Sequence, residues 1–298
     1  MHHYLNVPRN ARRLALTIAV SALSVVGLTI ITAKSALAEF EIQESQVEKG
    51  EVEIEYRGAV HDGFKRAKGE EEEEEGALEE EEEGEFLRQS HDIEVQWSVT
   101  DRWMLSTTFS ADEPLESDFD ASSVEVELQY ELIEREGNGF GLAFIGAYGL
   151  ATRGGEADEI EFGPIVELAS GKALLTTNTF FTSQVGKHRE TDGLGFEYGW
   201  RAQHGIATRW GVGVEMFGEI EDLSNAGSFN DQAHSIGPTL FYNPGDDDDD
   251  DNGDDYDDKS LGGVDEPGIE ISLNVGVQFG LTDNTSDTAV KFQGALEF

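Results

Sequence analysis

The sequence predicts an all-β chain that closes into a transmembrane antiparallel up-and-down barrel of about twelve strands. Three observations carry that prediction. Apolar and polar residues alternate with period two in one segment after another, the mark of strands with two different faces. The segments are about as long as the roughly 9–11 residues a tilted strand needs to cross a bilayer. The chain also ends on AVKFQGALEF, where Val290, Phe292, Gly294, Leu296 and the terminal Phe298 share one parity. Soluble domains seldom end on a free aromatic, because their ends fray into water.

At the other end, Arg9, Arg12 and Arg13 precede the apolar run LALTIAVSALSVVGLTIIT, and Ala36-Leu37-Ala38 then supplies a small-x-small cleavage pattern. This reads as a signal peptide over 1–38, cut after Ala38. The rival is an uncleaved membrane anchor, since about 18 apolar residues span a bilayer. Segment 1–38 carries four basic residues and no acid, so its removal takes the formal charge from −42 to −46. There is no Cys, so disulfide frameworks and thiolate metal sites are excluded. No later apolar run is long enough for a membrane helix, so residues 39–298 can enter a membrane only as strands.

In chain order the alternation places strands at 51–60, 90–100, 103–111, 122–133, 139–150, 159–168, 173–185, 194–203, 209–221, 233–243, 268–281 and 288–298. PGIEISLNVGVQFGL is the clearest, with Ile269, Ile271, Leu273, Val275, Val277 and Phe279 opposing Glu270, Ser272, Asn274, Gly276 and Gln278. GLGFEYGWRAQ, SHDIEVQWSVT and SSVEVELQYEL repeat the pattern, while ALLTTNTFFTSQV is apolar on parts of both faces. An even strand number puts both termini in the periplasm. Trp97 and Trp103 then flank a periplasmic turn at Thr100-Asp101-Arg102, and Trp200 and Trp210 flank another at His204-Gly205-Ile206. With Tyr242 and Phe298 at the same level, they predict one interfacial girdle against outer-membrane lipid.

Two acidic loops interrupt the strands, at 65–88 and 244–266. Like charges repel and stay solvated, so both read as disordered. Clustered carboxylates also suit loosely bound Ca²⁺ or other divalent cations; no other cofactor is expected. Asp248, Asp250, Asn252 and Gly253 match the start of an EF-hand loop, but its twelfth position is Lys259, which cannot supply the bidentate carboxylate.

With the apolar parity facing lipid, the interior receives Glu53, Glu55, Arg57, Glu94, Glu125, Glu127, Glu161, Glu197, Arg201, Glu215, Glu219, Glu270 and Lys291. A low-dielectric wall with one sign of charge concentrates counter-ions, and acidic rings are the usual basis of cation selectivity. Gly195, Gly199, Gly211, Gly213 and Gly276 favour a narrow aqueous passage; the competing arrangement has Arg57, Arg201 and Lys291 pair with acids and fill the lumen. His61, His91, His188 and His234 fall at the extracellular mouth, where imidazoles beside carboxylates suit Zn²⁺ or Cu²⁺. For a lipid-acting enzyme the one candidate pair is His234-Ser235, but adjacent strand residues point to opposite faces. No nucleotide loop is present, and the charge has the wrong sign for nucleic acid.

SHDIEVQWSVTDRW, DEIEFGPIVEL, FGEIEDLSNAGSFNDQAHSIGPTLF and FGLTDNTSDTAVKFQGALEF together resemble a group of Gram-negative outer-membrane barrel proteins of uncharacterised function. The likeness covers roughly residues 45–298 outside the acidic runs. The C-terminal stretch is similar to the signal read by the barrel-assembly machinery, with Phe292, Leu296 and Phe298 in the matching places. A looser, architectural similarity is to outer-membrane transporters found near aromatic-degradation operons, and it implies no site residues. The leading expectation is a non-catalytic, passive, cation-preferring channel or transporter for small cationic or neutral solutes in a Gram-negative outer membrane. The alternative is a structural or surface-binding barrel whose acidic loops collect divalent cations.

Overall fold

The computed structural model describes residues 40–63, 87–115, 117–189, 191–244 and 269–298. The expected signal peptide, nearly all of both acidic loops, and Asp248, Asp250 and Asn252 lie outside the described residues.

Twelve strands follow one another: β1 (Val52–Asp62), β2 (Leu87–Ser98), β3 (Trp103–Pro114), β4 (Asp120–Ile133), β5 (Phe140–Ala151), β6 (Asp158–Ser170), β7 (Ala173–Val185), β8 (Gly195–Ala207), β9 (Trp210–Ile220), β10 (Ala233–Tyr242), β11 (Glu270–Gly280) and β12 (Thr288–Glu297). Each pairs antiparallel with its sequence neighbour, and β1 pairs with β12 from Glu53↔Glu297 to Asp62↔Thr288, which closes the barrel. The last residue takes part in the closure. The Phe298 N–H donates to the Val52 carbonyl at 3.0 Å, and Val52 N–H donates back to the Phe298 carbonyl at 3.4 Å. A closed sheet satisfies every internal backbone group within the wall, which is what a hydrocarbon solvent demands.

The burial pattern is the reverse of a soluble domain's. Tyr56, Val60, Ile93, Phe109, Leu128, Phe144, Leu273, Val275 and Val290 are exposed, whereas Glu94, Glu127, Gln129, Glu167, Glu215 and Gln278 are almost wholly buried. Water would penalise both halves of that arrangement. A bilayer outside and a polar lumen inside make both favourable. One barrel end is joined by the tight connections Gly171–Lys172 and Thr208–Arg209; the other by longer loops such as 186–194 and 221–232. The first is the turn end and the second the loop end, and in outer-membrane barrels the turn end faces the periplasm.

Two details differ from the sequence-based expectation. Strand β8 runs on to Ala207 through a register irregularity between Gly205 and Ala207, so its turn is Thr208–Arg209. Trp200 therefore sits opposite Met216, six positions up β9 from Trp210, and lies in the wall rather than beside the turn. Second, part of the inward parity is apolar. Ala143, Ile145, Ile165 and Phe180 from β5, β6 and β7 form a small buried cluster within the lumen. The inward residues of β5 are all small or apolar: Gly141, Ala143, Ile145, Ala147, Gly149 and Ala151.

Candidate functional site: a charged lumen occupied by an N-terminal strap

The largest departure from the sequence reading lies between the expected cleavage site and β1. Residues 40–50 form no strand and run inside the barrel. Near the turn end the strap is tied by Gly50 N–H to the Ser98 carbonyl at 2.8 Å and by Lys49 to Asp101 at 3.3 Å. It rises until the Phe40 ring packs edge-on to Phe217 at 5.2 Å and stacks on His61 at 5.8 Å. His61 stands at the loop end of β1, so the strap spans most of the height of the wall.

Polar groups on several strands hold the strap. The Gln43 N–H donates to Asn178 Oδ1 at 2.7 Å, and Asn178 Nδ2 returns a bond to the Gln43 carbonyl at 3.0 Å. Gln43 Nε2 donates to Glu127 at 2.8 Å, Ser45 Oγ to Glu167 at 2.6 Å, and Gln129 Nε2 to the Glu44 carbonyl at 3.1 Å. Two strap carboxylates complete the seat: Glu41 lies 2.9 Å from Arg57 and Glu44 lies 2.5 Å from Arg201. Charge-assisted bonds of this kind are the strong ones. Glycines make the room. A Cβ on Gly199 would stand 3.3 Å from the Glu41 carbonyl, and one on Gly141 only 2.5 Å from Ser45 Oγ.

All the expected lumen residues carry inward parity, but most fall into two groups. The first is paired. Arg57 bonds Glu94 at 2.6 Å and also Glu55, while Lys291 bonds Glu215 at 2.7 Å and donates to the Phe40 carbonyl at 3.3 Å. Arg135, which the periodicity did not single out, bonds Glu167 at 3.2 Å. The second group lines β4, β6 and β8: Glu125, Glu161 and Glu197, joined by Glu159, which the sequence reading did not name. Glu219 belongs to neither group and stands at the exposed loop end of β9. The charged groups acting most strongly on Glu159, Glu161 and Glu197 are all carboxylates. Glu53 and Glu270 lie at the turn end, both beside Glu297.

The lumen glycines leave less free space than the sequence suggests. Positions 195, 213 and 276 are overlain by Thr182, Phe241 and Thr239, and position 199 by the strap. The paired, filled arrangement is thus the one the fold adopts around Arg57, Arg201 and Lys291.

The four histidines do not converge. His61 faces inward and accepts or donates to Ser286 Oγ at 3.0 Å, while His188 is exposed in the β7–β8 loop. His91 and His234 face the outer wall in matching settings. Each ring meets a tyrosine hydroxyl, Tyr56 at 2.7 Å and Tyr198 at 3.0 Å, and a glutamine two residues earlier, Gln89 and Gln232. Each covers a glycine on the paired strand, Gly58 and Gly218, and is capped by a loop phenylalanine, Phe119 and Phe229. Aromatic rings laid over strand glycines restore packing that those positions lack. Among the described residues no group of three or more His, Asp or Glu is placed to hold a metal ion. Ser235 is buried on the inner face and His234 on the outer, so the two do not form a nucleophile–base pair.

At the turn end, Trp103 packs on Tyr130 and Trp210 on Tyr242, each at 4.5 Å between ring centroids. Trp97 and Phe298 lie at the same end, both against Val52. These aromatics share one end of the barrel, the placement expected of an interfacial girdle, and Trp200 is set apart from them.

A closed sheet, an apolar outer belt and a charged interior define a membrane-spanning barrel of the outer-membrane type. No family model and no curated protein matches the chain. Solved structures similar to it include the KdgM porin, with 8% identity over 83% of this chain and 98% of that one and a TM-score of 0.45. LpxR from Salmonella typhimurium gives 11% identity, 83% and 99% coverage and a TM-score of 0.39. A Pseudomonas aeruginosa FadL homologue gives 7%, 84% and 90%, and 0.38. None of these likenesses assigns a role to a residue of this chain.

Proposed function

We propose that this protein is a passive, cation-preferring passage for small cationic or neutral solutes in a Gram-negative outer membrane, closed by its own N-terminal strap. On this reading the chain is exported through a signal peptide cut after Ala38 and assembled through its Phe298-terminated last strand. The observation that carries the proposal is the imbalance of the lumen. Arg57, Arg201 and Lys291 are each neutralised by a carboxylate within 3 Å, whereas among the described wall acids of β4, β6 and β8 only Glu167 meets a fixed cation, Arg135, and Glu159, Glu161 and Glu197 have other carboxylates as their strongest charged neighbours. The net field inside is therefore negative, and a low-dielectric wall focuses it on whatever enters. Displacing the strap removes Glu41 and Glu44 from the lumen but leaves the larger wall population of acids in place.

The test is planar-bilayer recording of the mature protein and of a variant lacking residues 40–49, both checked for the heat-modifiable gel mobility of a folded barrel. The intact chain should show small or infrequent openings. The deletion should give a large increase in conductance, with a reversal potential in a KCl gradient on the cation side. Anion preference, or no conductance from a correctly folded strap-free barrel, would overturn the reading.

A further inference from the structure

The unpaired acids are spaced in a way that charge surplus alone does not require. In the register of the wall, Glu127 of β4, Ala147 of β5 and Glu161 of β6 lie side by side, and Glu125, Gly149 and Glu159 form the next row toward the loop end. Glu197 continues the series on β8, opposite Phe180 of β7. Carboxylates thus occupy alternate strands, with small residues on β5 between the first two. Neighbouring strands lie about 4.8 Å apart, so the acids stand roughly 10 Å from one another across the wall.

Two of these side chains are buried without being satisfied. Glu127 is 2% exposed and Glu159 9%, and Oε1 of each has no hydrogen-bond partner in the protein. Glu127 uses its other oxygen for Gln43 of the strap. Buried carboxylate oxygens without a hydrogen-bond partner are costly unless a cation meets them. A metal ion is a poor fit. Ca²⁺ takes 6–8 oxygens at about 2.3–2.6 Å around one point, and here the carboxylates are dispersed. Dispersed anions suit a cation whose charges are dispersed as well. A linear aliphatic polyamine has that form: an ammonium at intervals, each donating hydrogen bonds, joined by methylenes that suit the small residues Ala147 and Gly149 between the acids.

We infer that the β4–β6–β8 face of the lumen is a binding site for a linear polyamine. The inference rests on the cation-preferring reading above and names a ligand class for it. Spermidine is the probe, Mg²⁺ the compact-cation control, and the refolded mature barrel the sample. Calorimetry should show saturable spermidine binding that Mg²⁺ at equal charge concentration displaces poorly. Glu161→Gln and Glu197→Gln should each weaken spermidine binding about tenfold, the equivalent of about 1.4 kcal/mol. Glu48→Gln, exposed at the turn end, should leave it unchanged. Equal competition by Mg²⁺, or identical binding to all these folded barrels, would overturn the site. The two proposals fail separately. Cation-selective current in the strap-free barrel with no spermidine block or binding sinks the site and leaves the channel. Spermidine binding without conductance sinks the channel and leaves the site.

Discussion

On the side of the lumen built from β1, β2, β9 and β12, buried Glu55, Glu94 and Glu215 each meet a fixed cation. Across the lumen Glu161 of β6 and Glu197 of β8, of the same inward parity, meet other glutamates. The residue type is the same and the circumstances are opposite. A paired buried carboxylate is part of the scaffold, and removing its partner is expensive. An unpaired one is a standing electrostatic cost that folding tolerates and a ligand can relieve. The difference separates residues that hold this barrel together from residues free to serve transport.

The largest effect should come from breaking the paired side. Arg57→Ala would leave Glu41, Glu55 and Glu94 facing one another without their shared guanidinium. Loss of one partner of a buried ion pair costs about 3–5 kcal/mol. Urea unfolding in detergent micelles, followed by heat-modifiable mobility, should show a much lower midpoint. An unchanged midpoint would mean that the lumen is wet enough to screen the three acids, and the contrast between the two sides would collapse.

The strap's seat gives the next effect. Gly141 and Gly146 share strand β5, but a Cβ on the first would overlap Ser45 Oγ and Arg135 Cβ, while one on the second meets nothing within 4 Å. Gly141→Ala should therefore destabilise the seated strap by about 1–3 kcal/mol, the usual range for overpacking. Proteolysis near residues 40–49 should become faster, with Gly146→Ala indistinguishable from the parent. Equal proteolysis of the two would show that the strap does not sit against β5.

The unpaired side predicts the opposite sign. Replacing Glu161 by Gln removes a charge whose strongest charged neighbours are carboxylates. Stability should rise, by on the order of 1 kcal/mol if the local medium behaves with an effective dielectric near 20. A destabilised Glu161→Gln barrel would reveal a cation partner for this residue and erase the distinction between the two sides.

Much of this was legible beforehand. The period-two pattern located all twelve strands to within a few residues, because lipid on one face and a polar lumen on the other force a clean alternation. The terminal Phe298 foretold a strand that ends at the interface, and it proves to close the seam against Val52. Parity alone assigned the inward glutamates. It was silent on which of them are paired, because pairing depends on neighbours around the barrel, such as Arg57 with Glu94 on β2, rather than along the chain. The strap left no signal at all. Glu41, Gln43, Glu44 and Ser45 alternate with nothing, and their partners Arg57, Glu127, Glu167, Asn178 and Arg201 are scattered over five strands. β8 departs from its pattern for a local reason: the irregularity between Gly205 and Ala207 carries the strand on to Ala207, past the point where the alternation stops, and leaves Trp200 in the wall.

The smallest expected effect lies at the turn end, where the two sides meet water. Burial, reinforced by the charges of Glu48, Glu270 and Glu44, pushes the Glu51 carboxyl up to about 7 from its ordinary 4.5. The folded barrel thus holds this proton more tightly than the unfolded chain does. The resulting stabilisation is complete below the unfolded value, declines as pH rises from about 4.5, and is lost once pH passes about 7. Raising the pH from 5 to 8 should lower the urea midpoint of the parent slightly, and Glu51→Gln should flatten that part of the profile. Rim charges are screened by salt, so the slope should shrink further in high salt, whereas the Arg57→Ala loss should persist there. A Glu51→Gln profile as steep as the parent's would show that Glu51 is not the titrating group and assign the slope to other lumen acids, such as Glu53, Glu270 and Glu297 beside it or those of β4, β6 and β8.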